Sequence, residues 1–308
     1  MPELPEVETV VRGLRPRLRG RRICRVRLHQ PLILRGRRTQ FRRVVAGARI
    51  ARLERRGKFI VFHLEGPPNG ARRWCLIVHL GMTGQLFCCS PREPYQKHTH
   101  ATFWLDTGKQ MRFRDPRRFG RLELIPAARL DAYFAHFGPE ILDVPFAGFA
   151  RRFAGRRAPV KSLLLNQNVL RGLGNIYSDE VLFVARIHPA TPADRLALPR
   201  LRRLYAAIQR VLHAAIDAEG TSFSNYVTAE GRLGNFQYRL RVYGREGKSC
   251  PRCRTPIERI VLSARSSHFC PRCQPRQRRG QPRPGPARRR PRQPDAGAAA
   301  RGVCHAAR

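Results

Sequence analysis

The chain has 308 residues, with 61 Lys+Arg against 21 Asp+Glu and a formal net charge of +40 at pH 7. That length accommodates about two domains, and a cationic surface of this size fits a polyanion, whose condensed counterions are released on binding. No run of ~18 apolar residues occurs and no signal peptide precedes the first charged residues, so no membrane partner is expected and the protein reads as cytoplasmic.

The chain opens Met1-Pro-Glu-Leu-Pro-Glu-Val-Glu-Thr9. With Met1 removed, which a small second residue permits, Pro2 becomes a free secondary amine. Such an amine attacks a sugar C1′ or a carbonyl carbon and leaves an iminium, by the same electron-sink logic as a lysine Schiff base. An α-amine is also far less basic than a lysine, so much of it is unprotonated near neutral pH. Glu3 is placed beside it to shuttle protons. The same residues equally suit the plain start of a helix, which the sequence predicts from about Glu6 to Leu18.

From Ile23 to Leu124 the sequence reads as strands. Phe59–Leu64, Trp74–Leu80 and Ala101–Leu105 alternate or cluster apolar residues, and turns fall at 66–70 and at Asp106-Thr-Gly108. This predicts an antiparallel β-sandwich carrying Arg55-Arg-Gly-Lys58, His79-Leu-Gly-Met82-Thr83, Lys97-His-Thr-His100 and Arg114-Asp-Pro-Arg-Arg-Phe-Gly120. Lys58 stands just before an apolar strand, where its amine can be fixed rather than merely solvated. Met82 beside glycines, with Arg117 and Phe119 on a turn, can form a wedge that enters a base stack. As packing residues, Met82 and Phe119 would instead fill a core, and the histidines would be ordinary strand polar groups.

The pattern turns helical from Pro145 to Gly220. Leu201, Leu204, Tyr205, Ile208, Leu212 and Ile216 recur at three- and four-residue intervals, with Pro199 suited to the first turn of that helix and Gly220 to its end. Between helical segments at 160–170 and 181–185 lies Gly172-Leu-Gly-Asn-Ile-Tyr-Ser-Asp-Glu180. Its glycines permit close backbone approach, and Asn175 at the following helix start can offer its amide, with free N–H groups, to a phosphate. A helix–helix corner capped by Asn would read the same way. Lys161 and Asn168 add polar groups nearby, and residues 221–247 read as loop or linker.

Of nine cysteines, Cys24, Cys75, Cys88, Cys89 and Cys304 are scattered and read as buried or incidental thiols. The others form Cys250-Pro-Arg-Cys253 and, sixteen residues on, Cys270-Pro-Arg-Cys273. Two such knuckles suit one tetrahedral Zn2+ held by four thiolates. A closed shell leaves no open coordination position, so the ion is expected to be structural. The intervening segment can form a β-hairpin with Arg265-Ser-Ser-His268 at its tip, either as a nucleic-acid contact or as a solvated turn. From Gln274 to Arg308 ten arginines face one acid with almost nothing large and apolar, which predicts a disordered tail.

Taken together these residues resemble the bacterial formamidopyrimidine-DNA glycosylases, also called 8-oxoguanine DNA glycosylases. The Pro-Glu-Leu-Pro-Glu-Val-Glu start, Arg-Arg-Gly-Lys58, His-Leu-Gly-Met82, Asp-Pro-Arg-Arg-Phe-Gly120, Gly-Leu-Gly-Asn-Ile-Tyr177, Val242-Tyr-Gly and the paired CxxC ending occur in family order. The resemblance implies an α+β fold: an N-terminal antiparallel β-sandwich with a flanking helix, a helix–two-turns–helix domain, a C-terminal four-cysteine zinc-finger β-hairpin and a disordered basic tail. The implied division is a catalytic domain at 1–135, the helical DNA-binding domain at 150–225, a linker and lesion-capping region at 226–247, the finger at 248–274 and the tail at 275–308.

It further implies a bifunctional DNA glycosylase/AP lyase of base excision repair, acting as a monomer on double-stranded DNA containing oxidised purines, in the nucleoid of a bacterial cytoplasm. By this resemblance Pro2 is the nucleophile, Glu3 its acid/base partner, and Glu6 orients the N-terminus. Lys58 and Arg265 take part in proton transfer. Asn175 and Arg265 grip phosphates flanking the flipped nucleotide, helped by Tyr243, Lys161 and His100. Met82, Arg117 and Phe119 fill the vacated space, with Arg117 reading the orphaned cytosine. Asn166 stands where the family often has an acid, an alteration expected to touch local capping only. Two other readings are an endonuclease VIII-type enzyme for oxidised pyrimidines, against which Leu4 argues, and a non-enzymatic zinc-ribbon DNA-binding protein, which leaves Pro2-Glu3 without a role.

Overall fold

The computed structural model of the chain describes residues 2–66, 73–222 and 233–276. Helix α1 (Leu4–Leu18) begins two residues before the expected start. Pro5 occupies its first turn, where no N–H is needed, and the Glu6 carboxylate accepts the Glu3 N–H at 2.8 Å as half of a capping box. Val7, Val10, Val11, Leu14 and Leu18 then pack into the core of a two-sheet sandwich.

One sheet has the order β1 (Ile23–Leu28), β7 (Thr99–Leu105), β8 (Gln110–Arg114), β6 (Gln85–Cys89). The other runs β2 (Leu34–Arg35), β9 (Arg121–Pro126), β5 (Arg73–His79), β4 (Phe59–Glu65), β3 (Arg49–Arg56). Pairing is antiparallel except at β2, whose two residues pair in parallel with Leu122 and Glu123. β2 reaches its sheet by a crossover from β1, so no hairpin sets its direction. Ile60, Phe62, Leu64, Leu76 and Val78 face the sandwich core, while Val61, Cys75 and Ile77 face outward beneath Leu130 and Phe134 of α3 (Leu130–Phe134). Burial on both faces is why β4 and β5 read as unbroken apolar runs. A short α2 (Arg38–Val45) covers part of β1.

The helical lobe comprises α4 (Phe146–Phe153), α5 (Val160–Leu165), α6 (Asn175–Ala185) and α7 (Leu198–Asp217). Helix α5 stops five residues short of the predicted end. Asn166 ends it, its carboxamide oxygen accepting the Asn168 N–H at 2.9 Å and its carbonyl accepting from Val169 and Leu170. Leu4 belongs to the helical core with Leu164, Leu182 and Leu212, although the rest of α1 packs in the sandwich, and its N–H donates to Gly172 O at 3.1 Å. The N-terminus is thereby held between the two lobes.

The finger is a hairpin of β10 (Glu258–Leu262) and β11 (Arg265–Phe269). Arg265-Ser-Ser-His268 does not form its tip, as the sequence reading had it. The tip is Ser263-Ala264, with φ of 49° and 55°, the positive values a two-residue type I′ turn needs. The lesion-capping segment falls partly, and the expected tail from 277 onward wholly, outside the described residues. Among those described, no helix is long and apolar enough to cross a membrane.

Candidate active site and nucleic-acid interface

Glu3 is 2% exposed, and its carboxylate sits on the N-terminus of α6. It accepts the backbone N–H of Gly174 at 2.7 Å, of Ile176 at 2.9 Å and of Tyr177 at 3.4 Å. The unpaired first-turn amides and the positive end of the helix dipole make this an anion site. A side chain at 174 is excluded: its Cβ would lie 2.4 Å from Glu3 Cδ. The glycine corner therefore meets a carboxylate of its own chain. Pro2 is buried immediately before it.

Three buried ionisable groups converge here. Burial pushes the Glu3 carboxyl up, against the opposing pull of Lys58 and the helix amides. Burial and the Glu3 charge push Glu6 up to about 7, although Glu6 accepts from Glu3 N–H, Thr221 N–H at 2.8 Å and the Tyr177 hydroxyl at 2.5 Å. Burial pushes the Lys58 ammonium down, Glu3 and Glu6 oppose that, and Arg265 adds repulsion. A buried amine with a lowered proton affinity beside two carboxyls with raised ones is an arrangement suited to passing protons. The turn before Lys58 is tied to the helical lobe, since Glu140 accepts Gly57 N–H at 2.5 Å, Arg55 at 2.6 Å and Arg171 at 2.9 Å.

Met82, Arg117 and Phe119 come together on two abutting loops. Met82 is 39% and Phe119 49% exposed, and the Arg117 guanidinium lies 4.9 Å from the Phe119 ring centroid. Asp115 knots the loops, accepting Thr83 Oγ1 at 2.5 Å, Arg117 N–H at 3.3 Å and Gly120 N–H at 2.7 Å. Gly81, at φ +64°, lets them touch, because a Cβ there would stand 2.6 Å from the Phe119 and Gly120 backbone. These apolar and cationic side chains project on a rigid base, as a wedge requires.

Asn175 and Arg265 are joined through β11: Asn175 Nδ2 donates to Ser266 Oγ at 3.3 Å, while Arg265 is exposed on the same strand. Tyr243 packs edge-on against His268 at 5.1 Å, and its N–H donates to Glu180. Lys161 and His100 stand apart from this surface. Lys161 is fully buried, paired with Asp179 at 2.7 Å and donating to Ser266 O at 2.6 Å; it faces the hairpin backbone rather than solvent. His100 is buried too, its Nε2 at 2.8 Å from the Asp115 carbonyl beneath the wedge. Both side chains are buried here, and each supports its loop from within. The sequence reading missed Asp115, Asp179 and Glu180. Asp179 holds His268 N–H at 2.9 Å and its Nδ1 at 3.1 Å, and Glu180 accepts the N–H groups of Arg241, Val242 and Tyr243. Asp179-Glu180, an acidic pair in a basic chain, was the available signal for two of the three.

The four finger cysteines have ligand atoms within 4.8 Å of one another, with sulfur pairs at 3.4, 3.5 and 3.9 Å. Tetrahedral ligation at ~2.3 Å would set sulfurs about 3.8 Å apart. Arg252 N–H and Cys273 N–H point at Cys250 and Cys270 sulfurs at 3.4 Å, the donors that steady knuckle thiolates. The donor set fits a closed metal site.

The sequence matches the formamidopyrimidine-DNA glycosylase N-terminal domain over residues 1–122, the formamidopyrimidine-DNA glycosylase H2TH domain over 137–227 and the zinc finger found in FPG and IleRS over 247–276. Among curated relatives, the formamidopyrimidine-DNA glycosylase of Solibacter usitatus is 47% identical, covering 90% of this chain and all of its own, and that of Chloroflexus aurantiacus is 43% identical over 89% and 98%. Among solved structures, a Lactococcus lactis FPG variant in complex with Fapy-dG containing DNA has a TM-score of 0.83 at 34% identity. The wild-type Lactococcus lactis protein with oxidized pyrimidine containing DNA has a TM-score of 0.81 at 35%. Each covers 89% of this chain and 100% of that one.

Proposed function

The chain belongs to the formamidopyrimidine-DNA glycosylase family and is a DNA glycosylase of base excision repair, and from that premise we propose how it acts and on what. The substrate is double-stranded DNA carrying an oxidised purine, and the enzyme is also an AP lyase. It works as a monomer on the nucleoid DNA of a bacterial cytoplasm. The catalytic residues 1–135, the helical 150–225, the linker at 226–247 and the finger at 248–274 act as one unit. The observation that carries this reading is the Glu3 carboxylate, next to Pro2 and clamped on the α6 N-terminus, within electrostatic range of buried Lys58.

Extruding a base costs a few kcal/mol of unstacking, least for a damaged base, and Met82, Arg117 and Phe119 offset part of it by occupying the gap. Asn175, Arg265 and Tyr243 hold the backbone around the everted nucleotide. The lone pair of the Pro2 amine, freed by loss of Met1, attacks C1′. The bond from C1′ to the base breaks, and the base leaves with its electron pair and takes up a proton. Opening of the sugar, with Glu3 protonating the ring oxygen, gives an iminium that acidifies the C2′ hydrogen. Loss of that proton expels the 3′ phosphate, and loss of the C4′ proton then expels the 5′ phosphate. Lys58 and Arg265 accept and donate in these eliminations. Cys250, Cys253, Cys270 and Cys273 would hold Zn2+, which cross-links the finger and takes no part in the chemistry.

Matched duplexes containing 8-oxoguanine or thymine glycol test the substrate class. Faster release of 8-oxoguanine, with phosphates left on both sides of a one-nucleotide gap, is the expected result. Preference for thymine glycol would overturn the purine assignment in favour of the oxidised-pyrimidine reading, which the Lactococcus lactis complex keeps in play.

A further inference from the structure

The first turn of α6 carries a second group aimed at the N-terminus, which the reaction above leaves unused. Tyr177 is fully buried, with its ring against Phe236 at 5.6 Å. Its hydroxyl donates to Glu6 Oε1 at 2.5 Å and lies 2.9 Å from Thr221 Oγ1. Its backbone N–H meets Glu3 Oε2 at 3.4 Å. One residue thus touches the carboxylates of both Glu3 and Glu6 and the start of the segment that follows α7.

We propose that Tyr177 is a positioning residue of the glycosylase site: its hydroxyl keeps Glu6 an acceptor, so that Glu6 fixes the Glu3 backbone and with it Pro2. This rests on the Pro2 reading above. Glu6 Oε2 receives the Glu3 N–H at 2.8 Å, and Oε1 receives both the Thr221 N–H and the Tyr177 hydroxyl. A protonated Glu6 carboxyl would turn one of those acceptor sites into a donor and loosen the arrangement. Among the described residues, the charged and titratable groups that face Glu6 include Glu3, Lys58 and Tyr177 itself. Burial and Glu3 raise its proton affinity, while the Tyr177 hydroxyl is the first of the hydrogen bonds that lower it. Removing that donor therefore raises it further. A hydrogen bond to a charged group corresponds to about one pH unit.

The test is the pH dependence of single-turnover excision. In Tyr177→Phe the ring and its packing stay, and the acid limb of the profile should move up by about one unit. At pH 6 the rate should fall about tenfold below wild type, and at pH 8.5 it should approach wild type, with affinity for a tetrahydrofuran abasic duplex retained. A pH-independent loss, or an unmoved limb, would overturn the proposal. Replacing Tyr177 by 3-fluorotyrosine, a stronger donor of nearly the same shape, keeps the test open should the Phe variant fold poorly: it should move the limb down, and an unchanged limb contradicts the role. Wild-type enzyme that traps covalently on borohydride while neither variant shifts the limb would sink Tyr177 alone; wild type that never traps would sink the Pro2 reading beneath it.

Discussion

The space between Gly174 and Glu3 admits no methyl group: a Cβ at 174 would lie 2.4 Å from Glu3 Cδ and 2.5 Å from its Oε1. Gly174→Ala should therefore push the carboxylate off the helix N-terminus. A displacement of ~1 Å at a reacting group costs about 10²-fold in rate, and single-turnover excision should show that loss while the finger stays folded. Undiminished excision would show that the clamp is not needed. His79 gives a second, pH-dependent outcome. Burial, with Lys58, pushes its imidazole down to about 4, and its Nδ1 lies 3.2 Å from Gly81 N–H as an acceptor. Between about pH 6.5 and 4 the unfolded chain binds the proton that the folded one refuses. Stability from this group is thus present above 6.5 and lost as pH falls toward 4, by roughly 1–3 kcal/mol. Thermal melting at pH 7.5 and 5 should show the fall, and His79→Asn should flatten it; equal slopes would contradict it.

The two loops that carry Met82 and Phe119 form one element because Asp115 and Gly81 weld them. Gly81→Ala adds both a strained φ of +64° and a clash with the Phe119–Gly120 backbone, so it should splay Met82 from Phe119. We expect excision from a duplex to fall by tenfold or more while cleavage of a single-stranded abasic site, which needs no wedge, falls less; equal losses would count against a wedge. The sandwich, the long α7 and the finger were legible because each depends on local pattern: two-faced apolar strands, a 3.6-residue apolar stripe, and cysteine spacing. The burial of Lys161 and His100 was not. A lysine in sequence looks like surface, and the Asp179 and Ser266 groups that let it sit fully buried are brought to it only by tertiary structure. The hairpin tip was misplaced for a related reason: Ser263 and Ala264 carry none of the Asn-Gly chemistry that marks a type I′ turn in sequence, yet both adopt positive φ. The N-terminal site was half legible. Pro2-Glu3 stood out as a pair, but its clamp on Gly174 spans a separation of 171 residues that no local pattern encodes.

At the scale of the whole molecule, the site exists only because one chain folds both lobes around its N-terminus and docks a finger on them. The finger's own core is small, with Val242, Cys250, Ile257 and Cys270 resting on Phe183, so it depends on its metal and its neighbours. Chelation should release the finger, seen as loss of protection of the 248–274 amides, and should weaken lesion-DNA affinity at least tenfold; unchanged affinity in chelator would show that the finger is dispensable. Binding to a duplex should weaken steeply with salt, and Arg265→Ala should reduce the log–log slope by about 0.9, one phosphate contact. The proposed mechanism rests on the proline nitrogen, which is an amide while Met1 is attached and a free secondary amine once it is gone. Borohydride trapping on an 8-oxoguanine duplex measures this directly. Enzyme lacking Met1 should form a stable covalent complex through Pro2, mapped by peptide mass, and enzyme retaining Met1 or carrying Glu3→Gln should form little or none. No complex from the processed wild type, or a cross-link mapped to Lys58 instead of Pro2, would contradict it.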